Sequence, residues 1–275
     1  MTDSVKTHYA CPDLIQKIRA GMNIMGKSPK DLTLRDLCPV DQLHTGGAPA
    51  TLAMGKLAGL AKDASVLDAG CGLGGSSRLL AEKFNLKMVG IDLCQDFVNT
   101  AETLTQWCGL DQTCDICFFQ GSVLDLPFET NHFDAILCQH ILMNLEDKPK
   151  ALAEFFRVVK PGGKLILHEI TQGQGPAPLM PVPWASDPSI SFVPDWENLL
   201  SQLENTGFVL NFFKDLTSQS AAWWKKVNAV KREKGQGPLN PGLVFGQNAA
   251  LFGPNMETNF SKNAIRCIEA VLIKK

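Results

Sequence analysis

Ser65-Val66-Leu67-Asp68-Ala69-Gly70-Cys71-Gly72-Leu73-Gly74-Gly75 is a short apolar run that opens into a glycine-rich turn, and the next apolar run ends at Asp92. Glycines let a backbone turn sharply and approach a bound group closely. A helix beginning near Gly74 aims its free N–H groups and positive dipole end into that turn. Asp92, 20 positions after Gly72, is placed to accept hydrogen bonds from a ribose diol. The pairing predicts a nucleotide-type cofactor on a strand, turn and helix unit.

Two cofactors fit the glycines, because Gly70, Gly72 and Gly75 also satisfy the dinucleotide fingerprint G-x-G-x-x-G. Asp68 separates them. It lies where the strand opens into the turn, and a pyrophosphate held there faces its carboxylate at a Coulomb cost of roughly a few kcal/mol for a partly screened pair. S-adenosylmethionine brings a sulfonium and an ammonium, which an anion favours. The reading is therefore S-adenosylmethionine, with S-adenosylhomocysteine as product. The alternatives are a nicotinamide-dependent oxidoreductase and a catalytically silent protein that binds S-adenosylmethionine for regulation.

Further motifs follow downstream: Gly90-Ile91-Asp92-Leu93, Gly121-Ser122-Val123-Leu124-Asp125-Leu126-Pro127-Phe128, Phe133-Asp134-Ala135-Ile136 and Arg157-Val158-Val159-Lys160-Pro161-Gly162-Gly163. With Asp68 to Gly74 they resemble, in order and spacing, the successive motifs of class I S-adenosylmethionine-dependent methyltransferases. The likeness is strong over residues 60–172. It implies that Asp68, Gly70, Gly72, Gly74, Asp92 and Leu93 hold the cofactor, that Gln139 touches its methionine part, and that the adenine meets groups near Ser122 and Val123. Many relatives have an aspartate where Ser122 stands, so backbone groups or the Asp125 side chain take up that contact.

Composition agrees with an ordinary cytoplasmic enzyme: 275 residues, 45% hydrophobic, 20% charged, net charge −2. No basic surplus marks a nucleic-acid partner. No apolar run reaches the ~18 residues that span a bilayer, and the first residues lack a signal-peptide pattern. The nine cysteines read as reduced, mostly buried thiols. Cys114-Asp115-Ile116-Cys117 lacks the second ligand pair that a zinc site requires, so no metal is expected. Oligomeric state is left open between monomer and homodimer.

Apolar runs alternate with helical periodicity, as a doubly wound sheet requires. Strands are expected at 65–69, 87–92, 116–120, 133–139, 164–170, 208–214 and 266–273, and helices at 74–84, 95–108, 148–158 and 195–205. The fold class is thus α/β. The resemblance implies a Rossmann-like, doubly wound, seven-stranded sheet whose last strand inserts antiparallel between the fifth and sixth, with a helical and loop cap. Residues 1–60 form an N-terminal helical lid region. Residues 61–275 form the cofactor-binding domain, with cap insertions at 173–193 and 217–264 over the carboxyl ends of the strands, where such sheets bind ligands.

Methyl transfer asks mainly for approach geometry, exclusion of water and, where the acceptor carries a proton, a base. His140, in Cys138-Gln139-His140-Ile141-Leu142-Met143-Asn144, is the candidate base or acceptor-orienting group. Asp41-Gln42-Leu43-His44-Thr45-Gly46-Gly47, with His8-Tyr9, is similar to the lead-in of phosphoethanolamine and sarcosine/dimethylglycine methyltransferases. That likeness implies that Thr45 and Tyr9, the single tyrosine, close over the cofactor, and Tyr9 can face the sulfonium by cation–π attraction. The phosphobase pattern then departs: its aspartate matches His140 and its tyrosine-partnering histidine matches Asn144, which argues against a phosphobase acceptor. Trp184, Trp196, Trp223 and Trp224 point to an apolar or amphipathic small molecule of quinone or sterol type, while the N-terminal likeness points to a small amine. The lid is expected to order on cofactor binding, being too short and too polar for a core of its own.

Overall fold

A computed structural model describes residues 7–275; residues 1–6 of the expected lid lie outside the described residues. Strands β1 (Ser65–Ala69), β2 (Lys87–Asp92), β3 (Ile116–Gln120), β4 (Phe133–Gln139), β5 (Val159–Gln172), β6 (Phe208–Asp215) and β7 (Ile265–Lys274) form one sheet in the order β3-β2-β1-β4-β5-β7-β6. The first five pair in parallel, and β7 runs antiparallel to both β5 and β6. The last strand therefore inserts as expected.

The central strands are buried on both faces, which is why β1 and β4 read as nearly unbroken apolar runs, whereas β3 sits at the edge and exposes Phe119. The strand order reverses between β1 and β4, where Val66 pairs Met88 on one side and Ala135 on the other. That reversal leaves a crevice at the carboxyl ends of the two strands.

Helices α1 (Leu14–Ile24), α2 (Leu34–Asp41) and α3 (Gly47–Ala58) precede the sheet. Within it, α4 (Gly75–Phe84), α5 (Gln95–Trp107), α6 (Lys148–Val158) and α7 (Trp196–Thr206) cover the faces. Between β6 and β7 lie α8 (Thr217–Lys234), the short α9 (Gly242–Phe245) and α10 (Ala249–Ser261). Element ends differ slightly from the pattern. Helix α4 starts one residue late because Gly74, at φ 74°, is its left-handed cap. Asp195 caps α7 rather than joining it, its carboxylate accepting from the Asn198 N–H at 2.9 Å. Strand β5 is longer than the 164–170 expected, since the chain re-enters the sheet at Val159 and Gly162, at φ 75°, lies in the register shift that follows.

The N-terminal helices have no core of their own but join one built with other parts of the chain. Helix α1 buries Leu14, Ile18 and Met22 with Leu37 and Val40 of α2, Phe97 and Leu104 of α5, and Leu239 and Val244 of the second insertion. Gly21 makes this approach possible, because a Cβ there meets Leu239 and the Pro238 carbonyl at 2.8 Å. The polar sequence hides this core because its apolar partners come from elsewhere in the chain. The first insertion is tied to α10 by Asn259, which bonds both the N–H and the carbonyl of Leu179, and by Asn255, which donates to the Pro181 carbonyl. Cys11, Cys71, Cys138 and Cys267 are buried, Cys117 is exposed, and the other four cysteines are half-buried, so burial is less general than expected. No helix is long and apolar enough to cross a membrane among the described residues.

Candidate active site

The glycine turn leaves β1 into the crevice. Gly70, at φ 74°, and Cys71 donate their N–H groups to the Ile91 carbonyl at 2.8 and 3.0 Å, which staples the turn to β2. A Cβ on Gly70 collides with Ile141, so both its dihedral and its neighbour demand glycine. Asp92 then grips the turn from the other side. Its Oδ2 accepts from the Gly72 N–H and its Oδ1 from the Cys94 N–H, both at 2.9 Å. Burial raises its pKa against those hydrogen bonds.

Asp68 is buried beneath the turn, and the Ser77 hydroxyl donates to it at 2.6 Å. Burial pushes Asp68 up to about 6 against that hydrogen bond, and Asp92 adds to the rise. Two carboxylates thus flank the glycine turn. Below it, Arg78 is fully buried and bonds Asp41 at 2.8 Å, with Leu73, Ala101 and Thr105 also accepting from its two terminal nitrogens.

The opposite wall is built from the end of β4. His140 has φ 58°, and its N–H donates to the His168 carbonyl at 2.8 Å. Three imidazoles meet here: the ring of His140 is 5.0 Å from that of His168 and 6.0 Å from that of His44, and His44 is 6.1 Å from His168. Burial lowers all three, His44 to about 4 and His168 to about 3; mutual repulsion lowers His140 and His168 further. The rings are therefore neutral at pH 7. His140 Nε2 is buried without a hydrogen-bond partner among the described residues.

Gln139 accepts from the Ser76 hydroxyl at 2.8 Å and turns its amide nitrogen toward His168 Nδ1 at 3.4 Å. The Tyr9 hydroxyl donates to Asn144 Oδ1 at 3.1 Å, and burial raises the Tyr9 pKa. Glu169 sets the loop that carries these groups: its Oε1 accepts from the N–H groups of Ile141 and Leu142 at 2.8 and 3.0 Å. Burial pushes Glu169 up to about 7.

Of the residues expected to meet cofactor or acceptor, Asp68, Gly70, Gly72, Asp92, Leu93 and Val123 line one cleft. Gln139, His140 and Tyr9 line the same cleft. Gly74, Thr45 and Ser122 do not. Gly74 is pressed against the Phe118 ring, Thr45 accepts from Trp224 Nε1 at 3.2 Å, and Ser122 accepts from the Leu124 N–H at 3.1 Å. Asp125 forms a bridge back to Ser122 and also stays out. Among the four tryptophans expected over the acceptor, Trp184 alone lines the cleft; Trp196 stacks on Phe213 at 4.8 Å, and Trp223 packs edge-on to Trp224.

Sequence reading missed Glu169 and His168. Their signal was two polar residues in Leu165-Ile166-Leu167-His168-Glu169-Ile170, a strand otherwise buried on both faces, where a charged group needs a specific partner. His44 and Phe245, which also line the cleft, carried no local signal.

Residues 67–167 match the family profile described as a methyltransferase domain. Over these residues the chain is similar to a methyltransferase domain. Phosphoethanolamine N-methyltransferase 1 of Arabidopsis thaliana is 34% identical over 127 residues, a match covering 46% of this chain and 25% of that protein. Ajmaline N-methyltransferase of Rauvolfia serpentina is 33% identical over 106 residues, covering 38% of this chain and 36% of that protein. The chain therefore spans only a part of the length of these relatives. Haemonchus contortus phosphoethanolamine N-methyltransferase 2, solved with S-adenosyl-L-methionine, superposes with a TM-score of 0.72 at 19% identity, over 90% of this chain and 60% of that one. A putative sarcosine dimethylglycine methyltransferase from Galdieria sulphuraria superposes with a TM-score of 0.65 at 17% identity, over 95% and 98%. These likenesses show a shared fold. Within the matched residues lie the glycine turn, Asp92 and His140; Tyr9, His44, Glu169, Trp184 and Phe245 are contributed from outside them.

Proposed function

We propose that this chain transfers the methyl group of S-adenosylmethionine to a small-molecule acceptor held between the glycine turn and the cap. One observation carries the reading: Asp68 and Asp92 face the glycine turn in a cleft whose described lining includes no lysine or arginine. Such a cleft suits a sulfonium and ammonium cation and repels a pyrophosphate, which disfavours the nicotinamide alternative. S-adenosylmethionine supplies an electrophilic methyl group on sulfur. Asp92 holds the ribose end, Asp68 favours the cationic amino acid end, and Gly70 and Gly72 let the backbone approach. Gln139 orients the methionine part.

His140 faces the acceptor. Its neutral ring has a free Nε2 to orient a donor hydrogen or take a proton as the sulfonium charge disappears. Tyr9, Trp184, Pro183 and Phe245 close the cleft and exclude water. An anionic acceptor finds no counter-charge there. The acceptor class is therefore an amine or an uncharged amphipathic molecule accepting at N, C or O. The reduced thiols accord with a cytoplasmic enzyme, acting as a monomer or homodimer.

Methyl release from labelled donor, measured across a library of amines, phenols and phosphoethanolamine, tests the reading. Turnover with an amine or phenol and none with phosphoethanolamine is expected. Tight NAD binding by calorimetry in place of S-adenosylhomocysteine overturns the cofactor assignment; tight S-adenosylhomocysteine binding with no acceptor turned over favours the silent regulatory reading.

A further inference from the structure

The turn after β4 and strands β5 and β7 bring His140, His168 and Cys267 to one point behind the acceptor wall. One ligating atom from each lies within 4.8 Å of the others, and His168 Nε2 is 3.4 Å from Cys267 Sγ. A tetrahedral zinc ion, with Zn–N near 2.0 Å and Zn–S near 2.3 Å, sets its nitrogen and sulfur ligands about 3.5 Å apart. The His168–Cys267 edge already has that spacing, and the widest gap closes with about an ångström of side-chain movement. A further observation points to an absent partner. His140 Nε2 is buried with no hydrogen bond, whereas buried polar atoms are normally satisfied.

We propose that His140, His168 and Cys267 form a binding site for a thiophilic divalent cation, with zinc as the probe. Imidazole and thiolate donors select zinc over magnesium or calcium. The surrounding groups fit a metal-binding role. The Ser220 hydroxyl hydrogen-bonds Cys267. When His168 binds through Nε2, its Nδ1 carries the proton, and Gln139 accepts it with its amide turned end for end. His140 is the one ligand that lines the cleft, so an occupied site withdraws it from the acceptor. If His140 has the role proposed above, zinc inhibits methyl transfer; that consequence rests on the proposed function, whereas binding does not.

Cobalt titration of the chelator-treated protein, with no acceptor or donor present, tests the site. One equivalent is expected to bind with a thiolate-to-cobalt charge-transfer band and tetrahedral visible bands, both lost on adding zinc. Cys267→Ser removes the charge-transfer band, and the Cys114→Ser/Cys117→Ser pair retains it. His140→Asn keeps a residue type that tolerates positive φ and lowers zinc affinity at least about 100-fold in competition with a chelator, since even supporting residues around a metal are worth 10–100-fold. Should Cys267→Ser fail to fold, His140→Asn decides alone. No band in the wild type, a band surviving in Cys267→Ser, or unchanged zinc affinity in His140→Asn overturns the proposal.

Discussion

The hydroxyl of Tyr9 donates to Asn144 Oδ1 at 3.1 Å, joining residues 135 positions apart across the mouth of the cleft. Asn144 in turn donates from Nδ2 to the carbonyls of His140 and Ile141 at 3.3 and 3.4 Å. The N-terminal segment is thereby linked to the loop that carries His140. His8 adds a second tie, its Nε2 lying 3.1 Å from the Pro183 carbonyl, so this segment is placed to act as a lid over the cleft.

Tyr9→Phe removes that bond, worth about 0.5–1.5 kcal/mol, and is expected to lower turnover about two- to tenfold while leaving S-adenosylhomocysteine affinity nearly unchanged. Hydrogen exchange checks the same link: amides between residues 7 and 47 gain protection on adding S-adenosylhomocysteine. Equal loss of affinity and turnover, or exchange indifferent to ligand, places Tyr9 in packing alone.

Asp92→Ala is expected to weaken S-adenosylhomocysteine binding by about 1.5–3 kcal/mol, the range for hydrogen bonds to a charged group. The loss has two sources, the ribose contact and the support that Asp92 gives to the Gly72 and Cys94 N–H groups. Asp92→Asn keeps one acceptor oxygen and should lose less. Calorimetry on folded variants decides, and unchanged affinity in Asp92→Ala removes this residue from the site.

Asp68 titrates at about 6, so its charge is lost as pH falls through that value. S-adenosylmethionine affinity should decline as pH drops from 8 to 5, with the steepest change near 6. Asp68→Asn keeps an acceptor for Ser77 and removes the charge; it should bind the donor more weakly at pH 8 and show a flatter profile. A wild-type affinity independent of pH contradicts this role.

Glu169 has a folded pKa of about 7 against an ordinary value of 4.5. The folded state therefore holds a proton that the unfolded chain releases between those values, so Glu169 makes stability fall as pH rises from about 4.5 to about 7 and adds no slope beyond. At 1.36 kcal/mol per unit the change is about 3 kcal/mol. Glu169→Gln keeps an oxygen for the Ile141 and Leu142 N–H groups and abolishes this slope. Buried His44 and His168 act in the opposite sense, since the unfolded chain gains their protons as pH falls below 6.5. Urea unfolding of both proteins at pH 5 and pH 8 isolates Glu169 as the difference, and identical pH dependence of the two proteins refutes the assignment.

The sequence by itself determined the first four strands, while the place of the last one came from the family resemblance. The strands β1 to β4 begin and end where the apolar runs and turn residues place them, because strand and helix periods and glycine dihedrals act within a few residues. The glycine turn, Asp68 and Asp92 were legible for the same reason. The tertiary structure decided the rest. Gly74, Thr45 and Ser122 carry family-like positions yet serve packing and turn hydrogen bonds, because Phe118, Trp224 and Leu124 reach them first. Trp184, Phe245, His44 and the cluster of His140, His168 and Cys267 come together only when the sheet closes and the insertions fold back. Burial, which shifts Asp68, Glu169 and the three histidines in opposite directions, is a property of that packing; contacts between residues 28, 99 or 135 positions apart leave no periodic trace in the chain.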